Sequence, residues 1–184
     1  MELLNPFSRH RERGQLEQQR RRLYRIAYSW CHDGNLAEDL VQETLIRALE
    51  RAGQLRDPER LPAWLAAILV NCWRDHLRRL KPTDDIAELE ESLFDDENRS
   101  PESSAECNQL VKRVRDEIAM LPVGQRQVLT LVDLEEFSYA EVAEALDIPV
   151  GTVMSRLCRA RQALKGRLQA AREHAMAPVL RSVK

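Results

Sequence analysis

The sequence predicts an all-α chain: two small helical domains joined by an acidic flexible linker, the C-terminal one a helix-turn-helix domain. Three observations predict it. Glycines number six and aromatics make up 5% of the 184 residues, while long stretches are built from Leu, Ala, Glu, Arg and Gln, all strong helix formers. Apolar residues recur at helical spacing on either side of one stretch that is poor in them. That stretch, Pro82 to Glu106, holds ten carboxylates against Arg99 alone, a net −9, which leaves +7 on the rest of a chain whose total is −2. Such asymmetry suits a nucleic-acid partner for the folded parts. An acidic solvated loop beside ordinary basic surfaces is the competing reading.

Each element follows from local signals. Leu23, Ile26, Ala27 and Trp30 place a first helix over Gln15 to Cys31, which Asp33-Gly34 breaks. Asn35 then reads as an N-cap, with Glu38 three residues on resembling a capping box, and a second helix reaches about Ala52. Gly53 to Leu61 reads as a loop. Pro62 suits the first turn of a third helix, which ends near Leu80 because Pro82 follows. The acidic segment has too little apolar content for a core of its own, although Ile86 to Leu93 could make a short helix. Beyond it, helices are expected from Glu106 to Leu121, from Gly124 to Leu134, from Tyr139 to Leu146 behind the capping box Ser138/Glu141, and from Gly151 to about Ala171. The boundaries drawn are 1–81 for the N-terminal domain, 82–105 for the linker, 106–172 for the helix-turn-helix domain and 173–184 for a disordered tail.

Several function classes find no support. Cys31, Cys72, Cys107 and Cys158 are too far apart to form a zinc-type pair. They read as reduced thiols packing as small hydrophobes. His10, His32, His76 and His174 fit neither HExxH nor a nucleophile elbow, and His76 falls on an inward helical face. No metal, cofactor or catalytic group is therefore expected. The opening MELLNPFSRHRERG lacks an apolar core of signal-peptide length. The longest apolar run, Leu61 to Val70, is interrupted by Pro62 and falls short of the roughly 20 residues that span a bilayer. A cytoplasmic protein without membrane insertion is expected.

The last helix carries the chemistry. Val153, Leu157, Ala160, Leu164 and Leu168 step by three or four residues and form a burying stripe. Thr152, Ser155, Arg156 and Arg159 step likewise along another face, near the helix N-terminus that enters the major groove in a helix-turn-helix. From Gly151 to Arg172 there are six bases and no acid. Guanidiniums suit phosphates, and Arg reads guanine bidentately. An amphipathic helix with a solvated basic face is the bland alternative. The capping box, the turn spacing and the missing acids together favour DNA.

At these residues the sequence resembles a known family. Leu121-Pro122, Arg126, Glu141-Val142-Ala143, Gly151-Thr152-Val153, Ser155-Arg156 and Arg159-Ala160-Arg161 are similar to the fourth conserved region of extracytoplasmic-function (ECF) sigma factors of the sigma-70 family. Pro149 departs from it, standing where many relatives place a capping Ser. Asp39-Leu40-Val41-Gln42-Glu43-Thr44-Leu45 resembles the hallmark of the family's second region. Here Ala37, Leu40, Val41, Thr44, Leu45 and Ala48 form a packed face opposite Asp39, Gln42 and Glu43. The helix PAWLAAILVNCWRDHLRRLK resembles the promoter-melting segment. Ile68, Leu69, Cys72, His76 and Leu80 face inward, and Asn71, Arg74 and Arg78 share an outward face. Trp64 reads as core.

The resemblance, spanning Leu23 to Leu168, implies a subunit that lends bacterial core RNA polymerase its promoter specificity. It implies that Asp39, Gln42 and Glu43 dock on the polymerase clamp. It further implies that Asn71, with Arg74 and Arg78, engages the minus-ten element, Asn71 holding a flipped base against the Gly53–Leu61 loop. Thr152, Ser155, Arg156, Arg159 and Arg161 then read the minus-thirty-five element. Promoter DNA and an anti-sigma factor are the further partners it implies. A free-standing helix-turn-helix regulator leaves the Asp39–Leu45 block unexplained, and a hydrolase has no motif.

Overall fold

A computed structural model describes residues 11–80 and 114–176, with side chains described for 17–80 and 114–169. Among the described residues every regular element is helical. The first block is α1 (Arg11–Cys31), α2 (Gly34–Glu50) and α3 (Leu61–Leu80), with short 3₁₀ turns at Ala52–Gln54 and Pro58–Arg60 between the last two. The second block starts with helix α4, described over 114–119. It continues through α5 (Val123–Leu129), a π turn (Thr130–Leu134), α6 (Tyr139–Leu146) and α7 (Val150–Met176). The expected linker, 82–105, lies outside the described residues, as do the expected short helix at Ile86–Leu93 and the expected helix start at Glu106. The tail was expected to begin at Glu173, but α7 continues to Met176. The run from Arg167 to Met176 lacks proline and is rich in alanine, so nothing in it stops a helix.

Helix ends follow their local chemistry, with one correction. The N-cap of α2 is Asp33, whose carboxylate accepts from the amides of Asn35 and Leu36 at 2.8 and 3.1 Å. The expected cap, Asn35, is already inside the first turn. Asp33 wins because His32 takes the left-handed conformation (φ 54) that ends α1 and swings the next residue into an extended one. In α6 the capping box is complete. Ser138 Oγ accepts from the Glu141 amide, and the Glu141 carboxylate accepts from the Ser138 amide at 2.8 Å. The Ser138 hydroxyl also donates to that carboxylate at 2.6 Å, and this bond, with the one from the Ser138 amide, holds the Glu141 carboxyl below its ordinary pKa. The turn into α7 uses a left-handed Asp147 (φ 51). The Ile148 amide then bonds back to Ala143 O at 3.1 Å, as at many helix ends. Pro149 supplies no side-chain cap, but its carbonyl accepts from Thr152 and Val153.

The packed faces match the periodicities. Ala37, Leu40, Val41, Thr44 and Ala48 of α2 are buried, as are Ile68, Leu69 and Cys72 of α3 and Val153, Leu157 and Ala160 of α7. Two inward assignments fail. Leu80 is 60% exposed at the last residue of α3, and Cys158 is exposed on α7, where the basic face rather than the apolar stripe runs. His76 is half-buried and stacks on buried Trp73, ring centroids 5.6 Å apart.

The two blocks share one continuous core. Helix α6 lies against α3, and α5 with the π turn lies against α1. Where they meet, Glu135 is buried and accepts from both Arg22 (2.9 Å) and Arg25 (3.2 Å) of α1. Ser29 Oγ meets Thr130 Oγ1 at 3.0 Å, and the Arg22 guanidinium stacks 4.4 Å over the Phe137 ring. The π turn builds this seam. Its extra residue per turn, closed by Glu135 N to Thr130 O, places Thr130 and Glu135 on the side of α1.

Candidate nucleic-acid interface

Three surfaces carry the candidate residues. On α2, Asp39 and Gln42 are exposed, whereas Glu43 is half-buried. Glu43 accepts from Arg47 at 2.6 Å, and Arg47 also pairs with Asp75 of α3 at 2.9 Å. Burial opposes the Arg47 charge, but the bonds to Asp75 and Glu43 outweigh it and hold its pKa above the ordinary value. Glu43 thus helps fasten α2 to α3, and the open polar face is Asp39 with Gln42. Ile46 and Leu49, both more than half exposed, stand one turn further along. Sequence periodicity alone gave no reason to single them out.

The α3 surface is divided. Asn71 and Arg78 are exposed, Arg78 lying 3.4 Å from Asp75. Arg74 is turned away from them toward the second block. Its Nη2 donates to Leu146 O at the end of α6, and its Nε is buried without a partner. Helical spacing predicts a shared face for Asn71, Arg74 and Arg78, and the packing of α6 on α3 separates Arg74 from it. Between the N-terminal half of α3 and α6 lies a cleft of about 310 Å³. One wall is the 54–60 loop with Arg56 and Arg60, its floor includes Trp64, and its far wall is Glu141, Glu144 and Ala145 of α6. Arg60 spans it to Glu144 at 3.0 Å. Trp64, expected as core, is only half-buried and lines this cleft.

The third surface is α7. Ser155 and Arg159 are exposed, and Thr152 and Arg156 are half-buried. Ser155 Oγ donates to Thr152 O at 3.1 Å, leaving the hydroxyl oxygen free to accept from outside. Arg161 makes two bonds to Asp133 on the π turn, at 2.9 and 2.6 Å. That pairing raises its pKa. Asp133 lies 28 positions away in sequence, so helical spacing could not reveal this tie. Val150 and Met154, 43% and 54% exposed, add apolar surface to the same end of the helix.

Arg126, quoted above as part of a motif, has a structural place. It is buried between the blocks and donates to three main-chain carbonyls: Trp30 of α1, Ala119 at the end of α4, and Leu121 at 2.9 Å. Burial with no facing carboxylate lowers its pKa to about 10. Among the described residues no group of three or more His, Cys, Asp or Glu could hold a metal ion. No helix among them is long and apolar enough to cross a membrane.

These features define a helix-turn-helix protein whose basic helix, without an acid from Gly151 to Arg172, is joined to a second helical block with its own polar faces. Comparison with known proteins narrows the class. The family described as "Sigma-70 region 2" matches residues 16–83, and "Sigma-70, region 4" matches 112–164. The RNA polymerase sigma-H factor of Pseudomonas aeruginosa is 32% identical over 76% of this chain and 77% of its own. The ECF RNA polymerase sigma-E factor of Escherichia coli K12 is 35% identical, over 71% of this chain and 73% of its own. Among solved structures, the sigma factor RpoE in complex with the anti-sigma factor NepR from Bartonella quintana superposes with a TM-score of 0.70. It is 25% identical and covers 85% of this chain and 96% of its own. CnrH in complex with the cytosolic domain of CnrY gives 0.60 at 28% identity, covering 89% and 91%. The chain belongs to the sigma-70 family of RNA polymerase sigma factors, in its ECF class.

Proposed function

We propose that this chain is an alternative sigma factor: it binds bacterial core RNA polymerase and directs promoter recognition, opening and initiation. It does so as a non-catalytic cytoplasmic subunit under the control of an anti-sigma factor. The observation that carries this reading is one chain holding both a basic recognition helix, α7, without an acid from Gly151 to Arg172, and an α2 with the Asp39–Leu45 motif. The domain division is 1–81 for polymerase and minus-ten binding, 82–105 as linker and 106–172 for the minus-thirty-five element. Asp39 and Gln42 contact the polymerase clamp, and Glu43 stiffens their helix through Arg47. Asn71 holds a flipped base, an amide being able both to donate and to accept at a base edge. Arg74 and Arg78 hold the adjoining strand. Thr152, Ser155, Arg156 and Arg159 read the upstream duplex, while Arg161, through Asp133, fixes α7 against the π turn.

Control by an anti-sigma factor is supported by the solved relative RpoE, which is in complex with the anti-sigma factor NepR. The test is transcription in vitro by purified core polymerase over genomic fragments, with and without this protein. New start sites preceded by two elements at fixed spacing are expected. Failure to stimulate an active core would replace this reading by a polymerase-independent regulator.

A further inference from the structure

We propose that α7 reads a thymine of the upstream duplex by its C5-methyl group, with Met154 as the reading side chain and exposed Cys158 beside it. The assignment rests on α7 being the minus-thirty-five recognition helix and names a base feature that it reads. An apolar strip lies on this helix where the core does not need one. Val153, Leu157 and Ala160 already form the buried stripe of α7. Met154 and Val150 are 54% and 43% exposed on another side, and Cys158 is exposed as well. These three stand four residues apart and so line up along the helix.

The strip runs into the polar face without a gap. Cys158 is four residues from Met154 and three from Ser155, and Arg159 is four from Ser155, so these exposed side chains are successive neighbours on the helix surface. Gly151, three residues before Met154, carries no side chain, and a Cβ placed there would meet nothing within 4 Å. A base edge can therefore come close to the helix at that point. The charge around the strip identifies the occupant. Gly151 to Arg172 holds six bases and no acid, which suits a groove lined by phosphates. In the major groove the thymine C5-methyl is the apolar group among the base edges, the others offering donors and acceptors. A thioether is a weak acceptor and no donor, so it matches those poorly, whereas its flexible, polarisable end adapts to a methyl. Ser155 and Arg159, alongside, meet the polar edges of the flanking pairs.

Exchange of thymidine for deoxyuridine deletes that methyl and keeps every hydrogen-bonding group of the base. The promoter is one found by mapping the start sites that core polymerase makes with this chain. Each thymine of its upstream element, on either strand, is exchanged in turn. The holoenzyme concentration that half-saturates the labelled fragment is then measured. At one position the affinity is expected to fall about fourfold, the worth of one buried methyl. Met154→Gln keeps the length of the side chain and removes its apolar end. Its holoenzyme is expected to bind the thymine fragment about fourfold more weakly than wild type does, and to bind the deoxyuridine fragment equally well. Met154→Leu restores the discrimination.

Wild-type holoenzyme that binds every deoxyuridine fragment as well as the thymine one would overturn the proposal, and that comparison needs no variant. So would a penalty that persists in Met154→Gln, since it would then lie in the DNA rather than in the side chain, and so would an upstream element without thymine. An active core that gains no start sites would remove the transcription reading instead. The duplex is in that case one selected from a random library by the full chain alone, and the same exchange is made in it. A chain that selects no sequence would overturn the proposal as well.

Discussion

Replacing Arg126 tests the seam's chemistry most sharply, because lysine, the conservative choice, is predicted to be no better than methionine. Arg126 is 7% exposed and satisfies Trp30 O, Ala119 O and Leu121 O at once. Removing it orphans three carbonyls, at about 2 kcal/mol each and hence roughly 6 in all. Against this, the buried charge no longer has to be desolvated. A pKa lowered to about 10 corresponds to roughly 3 kcal/mol of that cost. Arg126→Met is thus destabilising by about 3 kcal/mol, or a melting temperature lower by about 6–12 °C for a chain of this size. Arg126→Lys keeps the buried charge but loses the planar fork that reaches three acceptors, so its loss is equal or larger. Thermal unfolding by circular dichroism of wild type and both variants decides it. A lysine variant melting within about 2 °C of wild type, less than 1 kcal/mol on that scale, would refute the argument from carbonyl geometry.

Other consequences are open to direct measurement. Burial, reinforced by Arg126 and partly offset by Asp116, pushes the His32 pKa down to about 4 from 6.5. The unfolded chain takes up that proton near 6.5 and the folded chain only near 4, so stability is full above about 6.5 and is lost as pH falls toward 4. The melting temperature is accordingly lower at pH 5 than at pH 7.5. His32→Asn, which tolerates the left-handed backbone, shrinks that difference; an unchanged pH dependence would clear His32 of the effect. Arg156→Ala weakens binding to the upstream element by about 1–3 kcal/mol if it contacts a base, measured on the duplex found by transcription mapping. Asn71→Ala impairs opening, read by permanganate reactivity of unpaired thymines, more than it impairs initial promoter binding. Equal loss of both, or of neither, would sink that assignment.

Much of the fold was legible because it is written locally. The capping box at Ser138, the apolar stripes of α2 and α7, and the break at Asp33-Gly34 each depend on residues within a few positions of one another. What escaped depends on one local backbone angle and otherwise on long-range contact. Asp33 displaced Asn35 as the cap once His32 adopted a left-handed turn. Arg161 met Asp133 from another element, and Arg74 left its helical face for Leu146 O. The Glu135 seam joins residues 110 and 113 positions apart, beyond any periodicity. Arg126 was visible as part of a motif, but only the structure shows why that position holds a planar donor.

The central claim is that this chain programmes core polymerase. In vitro transcription with purified core over genomic fragments, comparing wild type with Arg156→Ala and Asn71→Ala, tests it most directly. The account predicts new start sites with wild type, preceded by two elements at constant spacing, and their loss with each variant. Core polymerase that starts at the same sites with and without the protein would contradict it.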